Sequence, residues 1–311
     1  MITKFRSGAS LLAVTQLIPK ETRRAALDGL ARHPKGYRVF QALARAYGVT
    51  AIRVAGEYGL IEGAIEDGSI LQAYARTKRW ASAANRFFCD LFARGGGTYI
   101  DIGANIGLTT IPVAQNPRVA CKAFEPEPRN FHYLAGNVAR NCAADNVELF
   151  NLALFDRRAV LDFDLSPYNL GDHRIRLGAL SDPHDERGRE VIKVAAERLD
   201  DVLDADALAG PVAVKIDTQG AEARILAGGR RVLARAQALV FEYAPRQIVE
   251  MGGEPEALAR FAAQHYATGA VVPGDSDAAL DWQPIDTVAA RLCALAAGAR
   301  PDDYYEVYAR K

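Results

Sequence analysis

Beyond residue 97, short apolar runs alternate with longer stretches whose apolar residues recur three or four positions apart. The runs at 98–100, 119–124, 147–150, 212–216 and 238–241 have the length and composition of strands buried on both faces. Between them, 108–115, 128–141, 221–226 and 231–234 read as helices, with Phe131, Leu134 and Val138 spaced for one face of the second. Pro112 is tolerable only in a first helical turn. Two further runs, 152–155 and 160–165, read as extra, more exposed strands, and 191–194 as another. A short helix falls within 199–208, a longer one at 255–265, a strand at 270–272 and a final strand in the YYEVYA run at 304–309. Strand and helix in regular succession predict an α/β sheet with parallel pairs.

The pattern before residue 95 differs. Residues 10–50 read as short helices punctuated by Pro19, Pro34 and Gly36. Residues 51–55 are strand-like, and Gly56, Gly59, Gly63 and Gly68 break the next stretch into short pieces that read as a small hairpin. Helices at 70–77 and 82–94 lead to the Gly95-Gly96-Gly97 break. The expected organisation is a helical cap with a hairpin over 1–94, packed on a main domain over 95–311.

Four of the buried runs end in a carboxylate: Asp101, Glu125, Asp217 and Glu242. In a parallel sheet the strand C-termini line the ligand crevice, so all four are predicted to face one site. After Asp101 come Gly103, Asn105 and Gly107. A dinucleotide turn has G-x-G-x-x-G. Here Asn105 replaces the glycine that lets backbone approach a pyrophosphate, Leu108 stands at the third glycine position, and no P-loop lysine comes after it. The turn therefore lacks the features that serve phosphates. An acid ahead of it suits a cationic ligand such as S-adenosylmethionine, which carries a sulfonium and an ammonium and no phosphate. Glu125 stands where an acidic side chain can accept from both hydroxyls of a ribose.

Composition narrows the partners. Lys plus Arg and Asp plus Glu both number 38, which gives no support for bulk nucleic-acid binding. Cys89, Cys121, Cys142 and Cys293 have neither CxxC nor metal-ligand spacing, so buried thiols in a reducing compartment are expected and no metal site. No apolar run approaches a membrane span of about 18 residues. The opening MITKFRSGASLLAVTQLIPK is interrupted by Gln16 and Pro19 and does not read as a secretion signal. A cytoplasmic protein is the expectation.

The motifs DIGANIG, AFEPEPRNFHYLAGNVARN, NLAL, VKIDTQGAEARILAGG and FEY, in that order, resemble the FkbM family of S-adenosylmethionine-dependent methyltransferases over roughly residues 95–245. The resemblance implies a class I methyltransferase (Rossmann-like) fold: a seven-stranded, mostly parallel sheet with helices on both faces and an antiparallel last strand. It further implies that Asp101, Gly103, Ala104, Asn105 and Gly107 line the methionine end of the cofactor and that Glu125 takes the ribose. Asn151 and Ala153 would lie beside the adenine, and Asp217 at the methyl-transfer end. One departure is Gln219, where the family often has Glu, which removes any role needing a carboxylate there.

Transfer to a hydroxyl needs alignment of donor, carbon and acceptor and a base for the proton. Asp217 is the first candidate, His173 in the polar segment 166–189 the second, and Glu242 a third that could bind substrate. The expected activity is O-methylation of a small molecule or carbohydrate. Two alternatives stay open: an NAD(P)-dependent oxidoreductase, and a protein that binds the cofactor without transfer.

Overall fold

The computed structural model describes residues 34–142, 145–177, 189–274, 276 and 278–311. The expected helices before residue 34, and 178–188 of the polar segment, lie outside the described residues. In chain order the strands are β1 (Ala51–Gly56), β2 (Gly59–Ala64), β3 (Gly97–Ile102), β4 (Val119–Phe124), β5 (Val147–Phe150), β6 (Ala153–Leu154) and β7 (Ala159–Leu165). They continue as β8 (Arg174–Arg176), β9 (Glu190–Glu197), β10 (Val212–Ile216), β11 (Ala238–Tyr243), β12 (Thr268–Pro273), β13 (Gln283–Pro284) and β14 (Tyr305–Arg310).

The main sheet has the order β13-β12-β14-β11-β10-β3-β4-β5. The five strands from β5 to β11 are mutually parallel, and β14 is inserted antiparallel between β11 and β12. That is eight strands where seven are expected. The extra one is the two-residue β13, which pairs with Thr268 and Gly269 at the sheet edge as the chain turns into the helix Ile285–Ala297. Helices on both faces explain the continuous apolar runs: every residue of β3 and β10 is buried. In a strand buried on both faces, one charged residue must find a partner, and Lys215 is such a residue in β10.

From β3 the chain steps outward to β4 and β5, whereas β10 steps the other way to β11. Strand order thus reverses between β3 and β10, which is where an open α/β sheet leaves a crevice at its strand C-termini. The chain between β5 and β10 builds a second sheet, β6-β9-β7-β8, from the runs that read as extra strands. Its β7–β8 connection, residues 166–173, comes back over the crevice.

The β1–β2 hairpin is antiparallel and lies on the helix Pro128–Asn141. There the Asn137 and Asn141 side chains accept the backbone N–H groups of Glu62 and Leu60, at 2.8 and 2.9 Å. The helix Ser82–Phe92 buries Phe88 and Phe92 against Tyr99 of β3. Pro112 sits in the first turn of the helix Thr110–Ala114, where its missing N–H costs nothing. No helix among the described residues is long and apolar enough to cross a membrane.

Candidate functional site

The glycine turn is fixed by three strand ends at once. Gly103 N and Ala104 N both donate to the Phe124 carbonyl closing β4, at 3.0 and 2.9 Å, and Asp217 N donates to Ile102 O at 3.0 Å. Gly103 has φ +81°, and a Cβ there would lie 1.9 Å from the Asp217 carbonyl oxygen. Only glycine lets the ends of β3 and β10 approach this closely. Asn105 also has positive φ, +50°. Its side-chain amide reaches across to the Leu170 carbonyl at 2.8 Å, which also accepts from Asn130 Nδ2 at 3.2 Å. The turn and the 166–173 loop are thereby tied together.

The crevice is a cavity of about 1110 Å³. Gly103, Ala104, Asn105, Glu125, Ala153, His173, Asp217 and Glu242 all line it. Three expected site residues do not reach it. Asp101 is fully buried beneath the turn, where its Oδ2 accepts from the hydroxyls of Thr109 and Thr110 at 2.7 and 2.6 Å. It thus fastens the start of the next helix. Gly107 faces Leu134 and Ile111. Asn151 donates to the carbonyls of Glu125 and Pro126, pinning the end of β4 from outside.

Each Glu125 oxygen accepts one backbone N–H: Oε2 from Asn105 and Oε1 from Glu127, both at 2.9 Å. Each keeps a second lone pair. Burial pushes the carboxyl up to about 8, against those two N–H groups, which lower it. In its charged form the carboxylate has the acceptor capacity for a vicinal diol such as a ribose, whose hydroxyls would favour that form. Close backbone at Gly103 and Ala104 and an acid at Asp217 supply the rest of what a nucleoside with a cationic head needs, so S-adenosylmethionine fits the donor set.

A second polar cluster centres on Asp217, whose Oδ2 is 3.2 Å from Lys215 Nζ and whose Oδ1 is 3.3 Å from Gln219 Nε2. Lys215 also faces Asp101 Oδ1 at 3.8 Å. Burial alone would lower the Lys215 ammonium; Asp217 and Asp101 outweigh it and hold the group above the usual lysine value. No sequence motif singled out Lys215. Strand period could have found it, because positions 215 and 217 share a face and Lys215 is the register partner of Asp101. Glu242, half-buried, is pushed well above the usual carboxylate range by burial and by Asp217 and Glu222. Glu222, at the start of its helix, turns its Oε1 back to Thr218 N and Oγ1, both at 2.9 Å, and so shapes the turn after β10.

His173 Nδ1 accepts the Ser166 backbone N–H at 2.9 Å. Burial, then Arg129 and Arg189, lower its pKa to about 4. The ring is therefore neutral with its proton on Nε2, an N–H donor and not the free lone pair that a base needs. Among the described residues no group of three or more His, Cys, Asp or Glu is placed to hold a metal ion.

A family model described as methyltransferase FkbM domain matches residues 101–267, more than half of the chain. The chain is 26% identical over 204 residues to the 2-O-methyltransferase NoeI of Sinorhizobium fredii, covering 60% of this chain and 83% of that protein. Among solved structures it is similar to precorrin-6y C5,15-methyltransferase from Geobacter metallireducens, at 15% identity and TM-score 0.36 over 73% of this chain and 87% of the other. It is also similar to M. jannaschii TYW2 in complex with AdoMet, at 17% identity and TM-score 0.36 over 84% and 85%.

Proposed function

The chain belongs to the FkbM methyltransferase family, whose methyl donor is S-adenosylmethionine, and from that premise we propose that it methylates a hydroxyl of a small molecule or carbohydrate. The observation that carries the reading is Asp217: an acid at a strand end, held by a buried ammonium and lining the same cavity as the turn and Glu125. S-adenosylmethionine, when bound, supplies a methyl group on a sulfonium that departs as a neutral thioether. Gly103, Ala104 and Asn105 give its methionine end close backbone, Glu125 accepts from its ribose, and Ala153 leaves room for the adenine. Asp217 takes the proton of the acceptor hydroxyl, and Lys215, 3.2 Å from its Oδ2, orients that carboxylate. His173 donates from Nε2 to the acceptor and orients it. Glu242 accepts from a second hydroxyl. The segment before residue 95 serves as a cap whose Arg76 and Trp80 wall the acceptor end of the cavity. Family membership displaces the oxidoreductase alternative.

The test is calorimetry with S-adenosylhomocysteine together with transfer of labelled methyl to a panel of methyl glycosides and small alcohols. The wild type is expected to bind and transfer, and Asp217→Asn to bind within a few-fold and lose transfer by two orders of magnitude or more, the scale of a removed general base (roughly 100-fold). Binding without transfer to any acceptor in the panel would favour the binding-only alternative, and no binding would remove the site assignment.

A further inference from the structure

Gln219 sits in the turn after β10 with φ +58°, a left-handed backbone that side chains other than Asn and Asp seldom adopt. Gly220 beside it has φ +106°, and a Cβ there would lie 2.9 Å from the Gln247 carbonyl oxygen, so the turn cannot relax toward the helix Pro245–Glu250. The strained backbone aims the Gln219 side chain between two acids from adjacent strands. Its Nε2 lies 3.3 Å from Asp217 Oδ1 and 3.3 and 3.1 Å from the two oxygens of Glu242. One NH₂ group has two N–H bonds, enough for one hydrogen bond to each acid. Two acids brought to one point repel unless a proton, a cation or a donor lies between them; burial and Asp217 already favour a proton on Glu242, and the Gln219 amide adds a donor to both. Here the donor is neutral, and the nearby ammonium, Lys215, bonds to the other oxygen of Asp217.

We propose that Gln219 is a positioning residue: its amide occupies the place of a bridging divalent cation between Asp217 and Glu242 and holds the two acids without one. The proposal rests on the methyl-transfer reading only in taking those two acids as the acceptor end of the site. It has a direct consequence. In Gln219→Glu the amide donor becomes a third carboxylate at the same point, and three oxygen donors around one position suit a hard divalent cation.

The experiment needs no acceptor, so its outcome is separate from that of the methyl-transfer test. Mn²⁺ is titrated by calorimetry into the wild type and Gln219→Glu, and melting is followed with Mn²⁺ and with EDTA. The expected result is no site in the wild type, and in Gln219→Glu one site whose occupancy raises a lowered melting temperature. Gln219→Leu, which keeps the bulk and removes the donor, melts lower than the wild type, and adding Glu242→Gln restores most of the loss. A residue that merely filled the turn would not be rescued by changing Glu242. Mn²⁺ binding to the wild type that disappears in Glu242→Gln overturns the proposal. So does a Gln219→Glu protein that binds no Mn²⁺, or that is recovered folded neither with nor without it, and so does a Gln219→Leu loss that Glu242→Gln leaves unchanged.

Discussion

Replacing Gly103 by alanine tests the junction on which the cavity depends. The residue has φ +81°, and the new Cβ would begin 1.9 Å from the Asp217 carbonyl oxygen. A left-handed L-residue costs about 1–2 kcal/mol. Restoring an ordinary contact requires the ends of β3 and β10 to part by roughly an ångström, an overpacking strain of about 1–3 kcal/mol. The sum, about 2–5 kcal/mol, corresponds to a fall in Tm of roughly 3–8 °C for a chain of this size. The displaced carbonyl belongs to Asp217 itself, so S-adenosylhomocysteine affinity is expected to drop at least tenfold. The assay is thermal melting followed by calorimetry, with Gly136→Ala as the control. Gly136 lies inside the helix Pro128–Asn141, where a Cβ meets only the tip of Arg140 at 4.0 Å, and alanine there is expected to stabilise by about 0.5–1 kcal/mol. Should Gly103→Ala melt with the wild type and bind the ligand equally well, the close approach of the two strands is not what shapes the site.

Two further outcomes concern the buried charges. Glu125 and Glu222 titrate at about 8 and about 7 in the folded chain, above the ordinary 4.5 of an unfolded glutamate. The native state therefore holds protons that the unfolded chain releases, and stability is fullest below about pH 4.5 for these two groups and declines as pH rises through 7 and 8. A tenfold change in proton affinity is worth about 1.4 kcal/mol, and Glu125→Gln should flatten that slope in melting curves of the ligand-free protein; an unchanged slope would show that the carboxyl is better solvated than its surroundings suggest. Lys215→Met removes the cation 3.8 Å from the buried Asp101. Breaking a buried pair costs about 3–5 kcal/mol, and chemical denaturation should register it; a loss below about 1 kcal/mol, the scale of a surface pair, would refute the buried arrangement.

The sheet was legible because its strands are continuous apolar runs, and the direction of the crevice was legible because four of the five runs stop at an acid. The turn was legible because Gly103 and Gly107 punctuate it, and both adopt the positive φ that such spacing implies. Depth was not legible. Asp101 and Asp217 look alike in sequence, each an acid at a strand end. Yet Asp101 lies one residue inside its strand and is consumed by two threonine hydroxyls, whereas Asp217 lies one residue beyond its strand and stands in the cavity wall. Lys215 was hidden by the apolar run around it. The role of His173 hinged on which ring nitrogen meets the Ser166 N–H, a matter of loop geometry with no periodic signature. The tie from Asn105 to Leu170 joins residues 65 positions apart, across a whole strand–helix–strand unit and the first two strands of the second sheet.

That tie has a thermodynamic consequence. The Leu170 carbonyl takes hydrogen bonds from both Asn105 and Asn130, and His173 is only three residues farther along the same loop. On the proposed assignment, the turn that seats the methyl donor is hydrogen-bonded to the loop that meets the acceptor, so donor and acceptor binding are expected to be coupled. Binding free energies joined in this way are reciprocal. Whatever factor the methyl donor contributes to acceptor affinity, the acceptor must return to the donor, and the ratio of the two donor dissociation constants, with and without acceptor, measures that coupling.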